Sequence, residues 1–142
     1  MRSQLFIDGR WQEAASDRSF PVENPATGEV IAHVAKAEQQ DVDRAVTAAR
    51  DCFESKEWQR LSGRARGRML LKIADRLEER LEEFARVETR QNGKTLYESK
   101  IELGMTATVL RYYGGWADKL EGSTLPVEGP FMVYTRREPI GV

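Results

Sequence analysis

Cysteine and histidine are almost missing from this sequence: Cys52 and His33 are the sole examples in 142 residues. One thiol cannot form an internal disulfide, and one imidazole with no second His or Cys near it cannot build a zinc module. Surplus charge is missing as well. With 22 Lys+Arg against 23 Asp+Glu the net charge is −1, which gives no reason to expect nucleic acid or an anionic membrane as a partner. Apolar runs extend only a few residues, far short of the roughly 20 needed to span a bilayer. No early stretch joins a basic start, an apolar run and a small-residue cleavage site, so the expected compartment is the cytoplasm. Repeats and low-complexity tracts are also absent. What is present is a globular balance, 40% hydrophobic and 32% charged, in a length that suits one folded unit.

The pattern of that unit changes twice along the chain. Leu5-Phe6-Ile7 runs into Asp8-Gly9, a type I′ turn signal, with Trp11 beyond it, which predicts a hairpin over residues 4–12. Phe20-Pro21-Val22 and Val30 to Val34 are strand candidates folded back on each other by Asn24-Pro25-Ala26-Thr27-Gly28. From Gln39 the period becomes helical. Val42, Ala45, Val46, Ala49 and Phe53 predict a helix to about Ser55, with Asp41 and Asp43 in the first turn where they suit the dipole. A second helix follows Ser62 as N-cap, its buried stripe being Met69, Leu70, Ile73, Ala74 and Leu77. Leu81, Phe84, Ala85 and Val87 continue with a shifted phase, so a break is expected near Glu79 to Leu81, and Asn92-Gly93 closes the third helix. A fourth spans about Leu96 to Leu120, stopped by Gly122, with Ile101, Met105, Val109, Tyr112, Trp116 and Leu120 as its apolar face. Strands then return: Leu125-Pro126-Val127 and Phe131 to Thr135 make a hairpin around Glu128-Gly129-Pro130, and Pro139 to Val142 reads as the start of another strand.

Each candidate for chemistry has a plainer reading. Gly93-Lys94-Thr95 imitates the end of a phosphate-binding loop, but Glu88 stands where that loop needs another glycine, and a helix precedes it. A helix stop followed by a helix start accounts for it better. Arg60, Arg64, Arg66 and Arg68 are followed by Glu78, Glu79, Glu82 and Glu83 without interleaved stacking aromatics, which indicates a solvated helix face and not a nucleic-acid site. Cys52 lies between Asp51 and Phe53 with no cluster of cations to activate it and is read as a packing residue. His33 is read as structural. Tyr112, Tyr113 and Trp116, at helical spacing, are read as a face packed into a core. From the residues alone there is no nucleophile with its base, no metal site and no dinucleotide fingerprint.

The order of short phrases adds a further expectation. Phe6-Ile7-Asp8-Gly9-Arg10-Trp11, Asn24-Pro25-Ala26-Thr27-Gly28-Glu29-Val30-Ile31 and Asp41-Val42-Asp43-Arg44-Ala45-Val46 open the chain. Glu88-Thr89 with Asn92-Gly93-Lys94, Arg111 to Lys119, and Tyr134 to Val142 follow at matching intervals. Together they cover nearly the whole chain, and it resembles the N-terminal segment of the aldehyde dehydrogenase superfamily, in the broad NAD-preferring branch.

The resemblance implies an α+β segment of an α/β protein: N-terminal β-hairpins, four helices and a further β-hairpin, with the Rossmann-like cofactor domain incomplete. Residues 1–122 would be the N-terminal part of the cofactor-binding domain, 123–138 an oligomerisation hairpin, and 139–142 the start of a truncated strand. It also implies the reaction: a cysteine thiolate adds to a small-molecule aldehyde, hydride passes to NAD or NADP, and a glutamate activates water to release the acid. None of those catalytic or cofactor-contacting residues lies in this chain, which is expected to be inactive alone, and Cys52 does not match the catalytic motif. Ile101 and Met105 match positions bordering the substrate entrance in relatives. Val22 and Gln91 match positions near a monovalent-cation site, the second often an aspartate, so that Gln91 offers a carbonyl oxygen but no charge. A homo-oligomer, dimer or tetramer, is implied for the complete enzyme. The alternative is a noncatalytic interaction module that associates through its C-terminal hairpin.

Overall fold

The computed structural model describes residues 4–142. Two antiparallel hairpins open it. β1 (Leu5–Ile7) pairs with β2 (Arg10–Gln12), placing Phe6 opposite Trp11 with ring centroids 5.0 Å apart. Asp8 and Gly9 both have positive φ, 53° and 70°, as a type I′ turn requires. β3 (Ser19–Glu23) pairs with β4 (Val30–Ala35), and the register slips between Val22 and Glu23, leaving Ile31 as the extra residue of a bulge.

α1 (Gln39–Glu54) then begins with an aspartate that the expected dipole role understates. Asp41 is buried, and its carboxylate accepts from the backbone of Glu38 at 2.9 Å, from the backbone of Ala15 at 3.0 Å, and from the Arg44 guanidinium. It caps its own helix and ties it to the segment between the first two hairpins. Those contacts, the Glu38 amide first, hold its pKa below the ordinary carboxylate range.

A one-turn helix not expected from the sequence, α2 (Lys56–Gln59), follows, capped by Ser55, whose hydroxyl accepts from the Trp58 amide at 3.2 Å. α3 (Gly63–Glu79) starts at Ser62 as expected, the hydroxyl accepting from the Ala65 amide at 3.2 Å. Arg80 breaks the helix, and α4 (Leu81–Asn92) ends at Gly93, whose φ of 84° suits a residue without a β-carbon. α5 (Leu96–Trp116) opens with a reciprocal capping box between Thr95 and Glu98. There are thus five helices among the described residues, and the last ends four residues before Leu120.

Gly122 is therefore no helix stop. It sits beside the returning strand, where a β-carbon would lie 1.8 Å from the Thr135 carbonyl oxygen. The hairpin it admits has two-residue strands, β5 (Thr124–Leu125) and β6 (Val133–Tyr134). Residues 139–142 form no strand here, because no strand among the described residues offers them a ladder; the Val142 carbonyl accepts from Arg50 instead.

The interior is small. α5 packs along α3 and against α4, and the buried hydrophobic residues among those described are Ala74, Ala85 and Ala107. The expected stripe of α3 is half realised: Ala74 is buried, Leu70 and Leu77 are half-buried, and Met69 and Ile73 are exposed. No helix among the described residues is long and apolar enough to cross a membrane.

Candidate functional site

α5 is the element on which a site can be built, and its inner face explains how it is held. α3 and α5 approach until a β-carbon on Gly67 would lie 2.3 Å from the Gly114 carbonyl oxygen, so two glycines set the contact. Beside it, Arg111 of α5 donates to Asp75 and Glu78 of α3 at 2.8 and 2.6 Å. The same guanidinium keeps the Glu78 carboxyl more acidic than usual. At the other end the Ser99 hydroxyl, fully buried, bonds the Thr89 hydroxyl of α4 at 2.9 Å, and Lys100 pairs with Glu82 of α4. Small residues, polar ties and the half-buried Leu103 and Leu110 thus fix α5 against two helices.

The outer face is the reverse. Ile101 (45% exposed) and Met105 (62% exposed) stand one turn apart, as expected of a pair on one face, and the face continues through Val109, Tyr112 and Trp116. The core role expected for this stripe and for Tyr113 is not what is found. These side chains lie open, with Tyr112 meeting Tyr113 edge-on at 5.3 Å and Trp116 at 6.3 Å. Helical periodicity marks an apolar face without saying which surface covers it.

Other candidates resolve locally. Gly93-Lys94-Thr95 is a helix stop and start, as read from the sequence, and Lys94 is engaged by the carboxylates of Glu88 and Glu102. Arg66 departs from a solvated face: its guanidinium lies 4.8 Å from the centre of the Trp58 ring and donates to the Trp58 carbonyl at 3.2 Å. Cys52 is exposed, not packed, and lies beside Asp51, Asp43 and Arg44 in an open depression. His33 is exposed on β4, and no group of three His, Cys, Asp or Glu side chains among the described residues is arranged to hold a metal ion. Val22 is half-buried on β3 and Gln91 exposed in the last turn of α4. The turn after β3 reaches that helix end, since a β-carbon on Gly93 would meet the Pro25 ring at 2.8 Å.

The sequence reading missed Lys94 and Arg111 as tie points. Their partners are 6 to 36 residues away, beyond the reach of helical spacing rules; the visible signal was Asp75 and Glu78 on one helix face.

Comparison with known proteins agrees with this architecture. The model of the aldehyde dehydrogenase family matches residues 11–142. The mitochondrial aldehyde dehydrogenase of Sus scrofa is 47% identical over 142 residues, covering 99% of this chain and 27% of that protein. The mitochondrial aldehyde dehydrogenase family 2 member B4 of Arabidopsis thaliana is 47% identical, covering 99% and 26%. Among solved structures, PnpE in complex with nicotinamide adenine dinucleotide superposes with a TM-score of 0.91 at 43% identity, over 99% of this chain and 28% of that one. Aldehyde dehydrogenase from Bacillus cereus superposes with a TM-score of 0.92 at 37% identity, over 99% and 29%. The chain spans about a quarter of the length of the relatives it matches. With the family match over nearly its whole length and the same fold in solved relatives, this chain belongs to the aldehyde dehydrogenases, an NAD(P)-dependent enzyme family.

Proposed function

We propose that this chain is the N-terminal portion of an enzyme that oxidises a small-molecule aldehyde to its carboxylic acid with NAD or NADP, and that α5 supplies one wall of the aldehyde's entrance. The observation that carries this is the contrast across α5: an inner face tied at both ends, and an outer face presenting Ile101 and Met105 unpaired and exposed. An apolar wall on a rigid helix suits the hydrocarbon part of an aldehyde. The nucleophile and the cofactor loops belong to other parts of the enzyme, so the 142-residue chain alone should not reduce either nicotinamide in the presence of aldehyde. Absorbance of the reduced cofactor tests this, and turnover that followed this polypeptide through purification would sink the reading.

Within that reading residues 1–122 belong to the cofactor-binding domain, 123–138 to a homo-oligomer contact, and 139–142 to a strand completed by later chain. Support for the contact is the exposure of the hairpin's apolar residues, Phe131 at 72% and Met132 at 82%. The same exposure favours the second reading, a noncatalytic module that associates through this hairpin; coding sequence continuing past Val142 would exclude it. Val22 and Gln91 are the proposed ligands of a monovalent cation. They offer neutral oxygens only, so melting in potassium should exceed melting in choline chloride slightly, and equal values would remove the site. A lone thiol suits a reducing compartment such as the cytoplasm, although relatives named above are mitochondrial; imaging of a tagged full-length protein would place it.

A further inference from the structure

We infer that Lys94 is a positioning residue for the aldehyde entrance, setting the place of Ile101 and Met105 without touching substrate. The inference rests on the reading of α5's outer face as an entrance wall.

Lys94 lies in the short link between α4 and α5, after the left-handed Gly93 and before the N-cap Thr95. Its ammonium bridges two carboxylates on different helices, Glu88 in α4 and Glu102 in α5. Its side chain is 15% exposed, far less than a surface lysine, so the ammonium is held between the helices while Glu102 reaches in from the solvent side at 57% exposure. Glu102 adjoins Ile101 and lies three residues before Met105, on the turns that carry the entrance face. The farther end of α5 is held separately, by Arg111 on α3 and by the Gly67–Gly114 contact.

The consequence is specific to one end of the helix. Without the ammonium, Glu88 and Glu102 face each other as like charges across the α4–α5 seam, leaving Thr89–Ser99 and Glu82–Lys100 to resist their repulsion. The first turns of α5 then swing outward about Gly93 while the Arg111 end stays in place. Ile101 and Met105 move with those turns. The chemistry, located elsewhere, does not. A bulky aldehyde, which needs the wall, is affected more than a short one.

The test uses the full-length enzyme and compares KM for benzaldehyde with KM for acetaldehyde. Lys94→Met should raise that ratio by about threefold or more, with kcat for acetaldehyde within about twofold of the parent. Adding Glu102→Gln, which removes one of the facing charges, should recover much of the ratio. Met105→Ala serves as the reference for the entrance reading. A ratio that shifts in Met105→Ala and not in Lys94→Met overturns the positioning role. A ratio that shifts in neither removes the entrance reading, and the inference with it. Loss of ratio change on its own is not the sole readout: amide hydrogen exchange over residues 96–106 should quicken in Lys94→Met, and unchanged exchange also overturns the proposal. Where Lys94→Met gives no folded enzyme, Glu102→Gln alone, which removes the bridge's α5 arm at an exposed carboxylate, should raise the ratio and quicken exchange over residues 96–106, and no change in either overturns the proposal.

Discussion

The two faces of α5 differ in the size of their apolar residues and in what covers them. The face against α3 and α4 is mixed, Ser99, Ala107, Arg111 and Gly114 being small or polar and Leu103 and Leu110 half-buried among them; the face toward open space holds Ile101, Met105, Val109, Tyr112 and Trp116. A helix of a self-contained domain would not leave the second, larger apolar face uncovered. The inner contact is close: glycine backbones meet, Leu71 lies against Gly114, and polar groups find partners across the seam. The outer face is apolar along its length and largely exposed. Position around the helix therefore separates the contacts made within the segment from the face it leaves uncovered.

The sharpest break in that comparison comes at Gly67. A methyl group there would lie 2.3 Å from the Gly114 carbonyl oxygen and 3.2 Å from the Ala117 β-carbon, and neither backbone can move without parting α3 from α5. Gly67→Ala is expected to destabilise the chain by about 3 kcal/mol, the upper end for overpacking a tight contact, against the gain in helix propensity. Denaturant unfolding followed by helical ellipticity measures it. A loss below about 1 kcal/mol would show that the inner face is looser than its geometry.

The second test concerns how the hairpins are joined to the helices. Asp41 is buried as an anion among the Glu38 and Ala15 amides and Arg44. Its folded-state pKa is lowered, so its contribution is present above the ordinary carboxylate range and lost as the pH falls through and below it. Asp41→Asn should lower the melting temperature at neutral pH by on the order of 5 °C. The variant should also lose less on acidification than the parent. Parallel melting curves for the two proteins from neutral to acid pH would mean that Asp41 is not the acid-sensitive tie.

These contrasts also mark what could be read in advance. Caps and turns were legible because their signals are local: Ser62, Asn92-Gly93 and Asp8-Gly9 each act on residues within one turn of themselves. The apolar stripe of α5 was legible as a stripe, but its exposure was not, since periodicity ranks the faces of a helix and says nothing of what lies opposite. The end of α5 was misplaced for a related reason. Leu120 continues the apolar spacing, yet the helix stops at Trp116, and Gly122 serves the hairpin. Ties between distant residues, Asp41 to Ala15, Lys94 to Glu102 and Arg111 to Asp75, depend on packing that no short window contains. The entrance role proposed for Ile101 and Met105 came from family resemblance, and the residues themselves supported a shared face and no more.

The smallest expected effect completes the comparison. Val109 lies in the middle of the outer face and is 51% exposed, so a charged side chain there displaces no neighbour and can reach water. In the 142-residue chain Val109→Lys is expected to change unfolding free energy by less than about 0.5 kcal/mol, the usual range for a surface position. It should also reduce self-association, because it divides a continuous apolar stripe with a charge. In the full-length enzyme the same substitution should lower the yield of folded protein sharply if later chain covers the face, since the ammonium would then be buried without a partner. Unfolding and sedimentation of the short chain, beside the soluble yield of the long one, separate the two contexts. Equal tolerance in both would mean that the middle of this face stays open to solvent in the complete enzyme, and the covered part would have to lie nearer Tyr112 and Trp116.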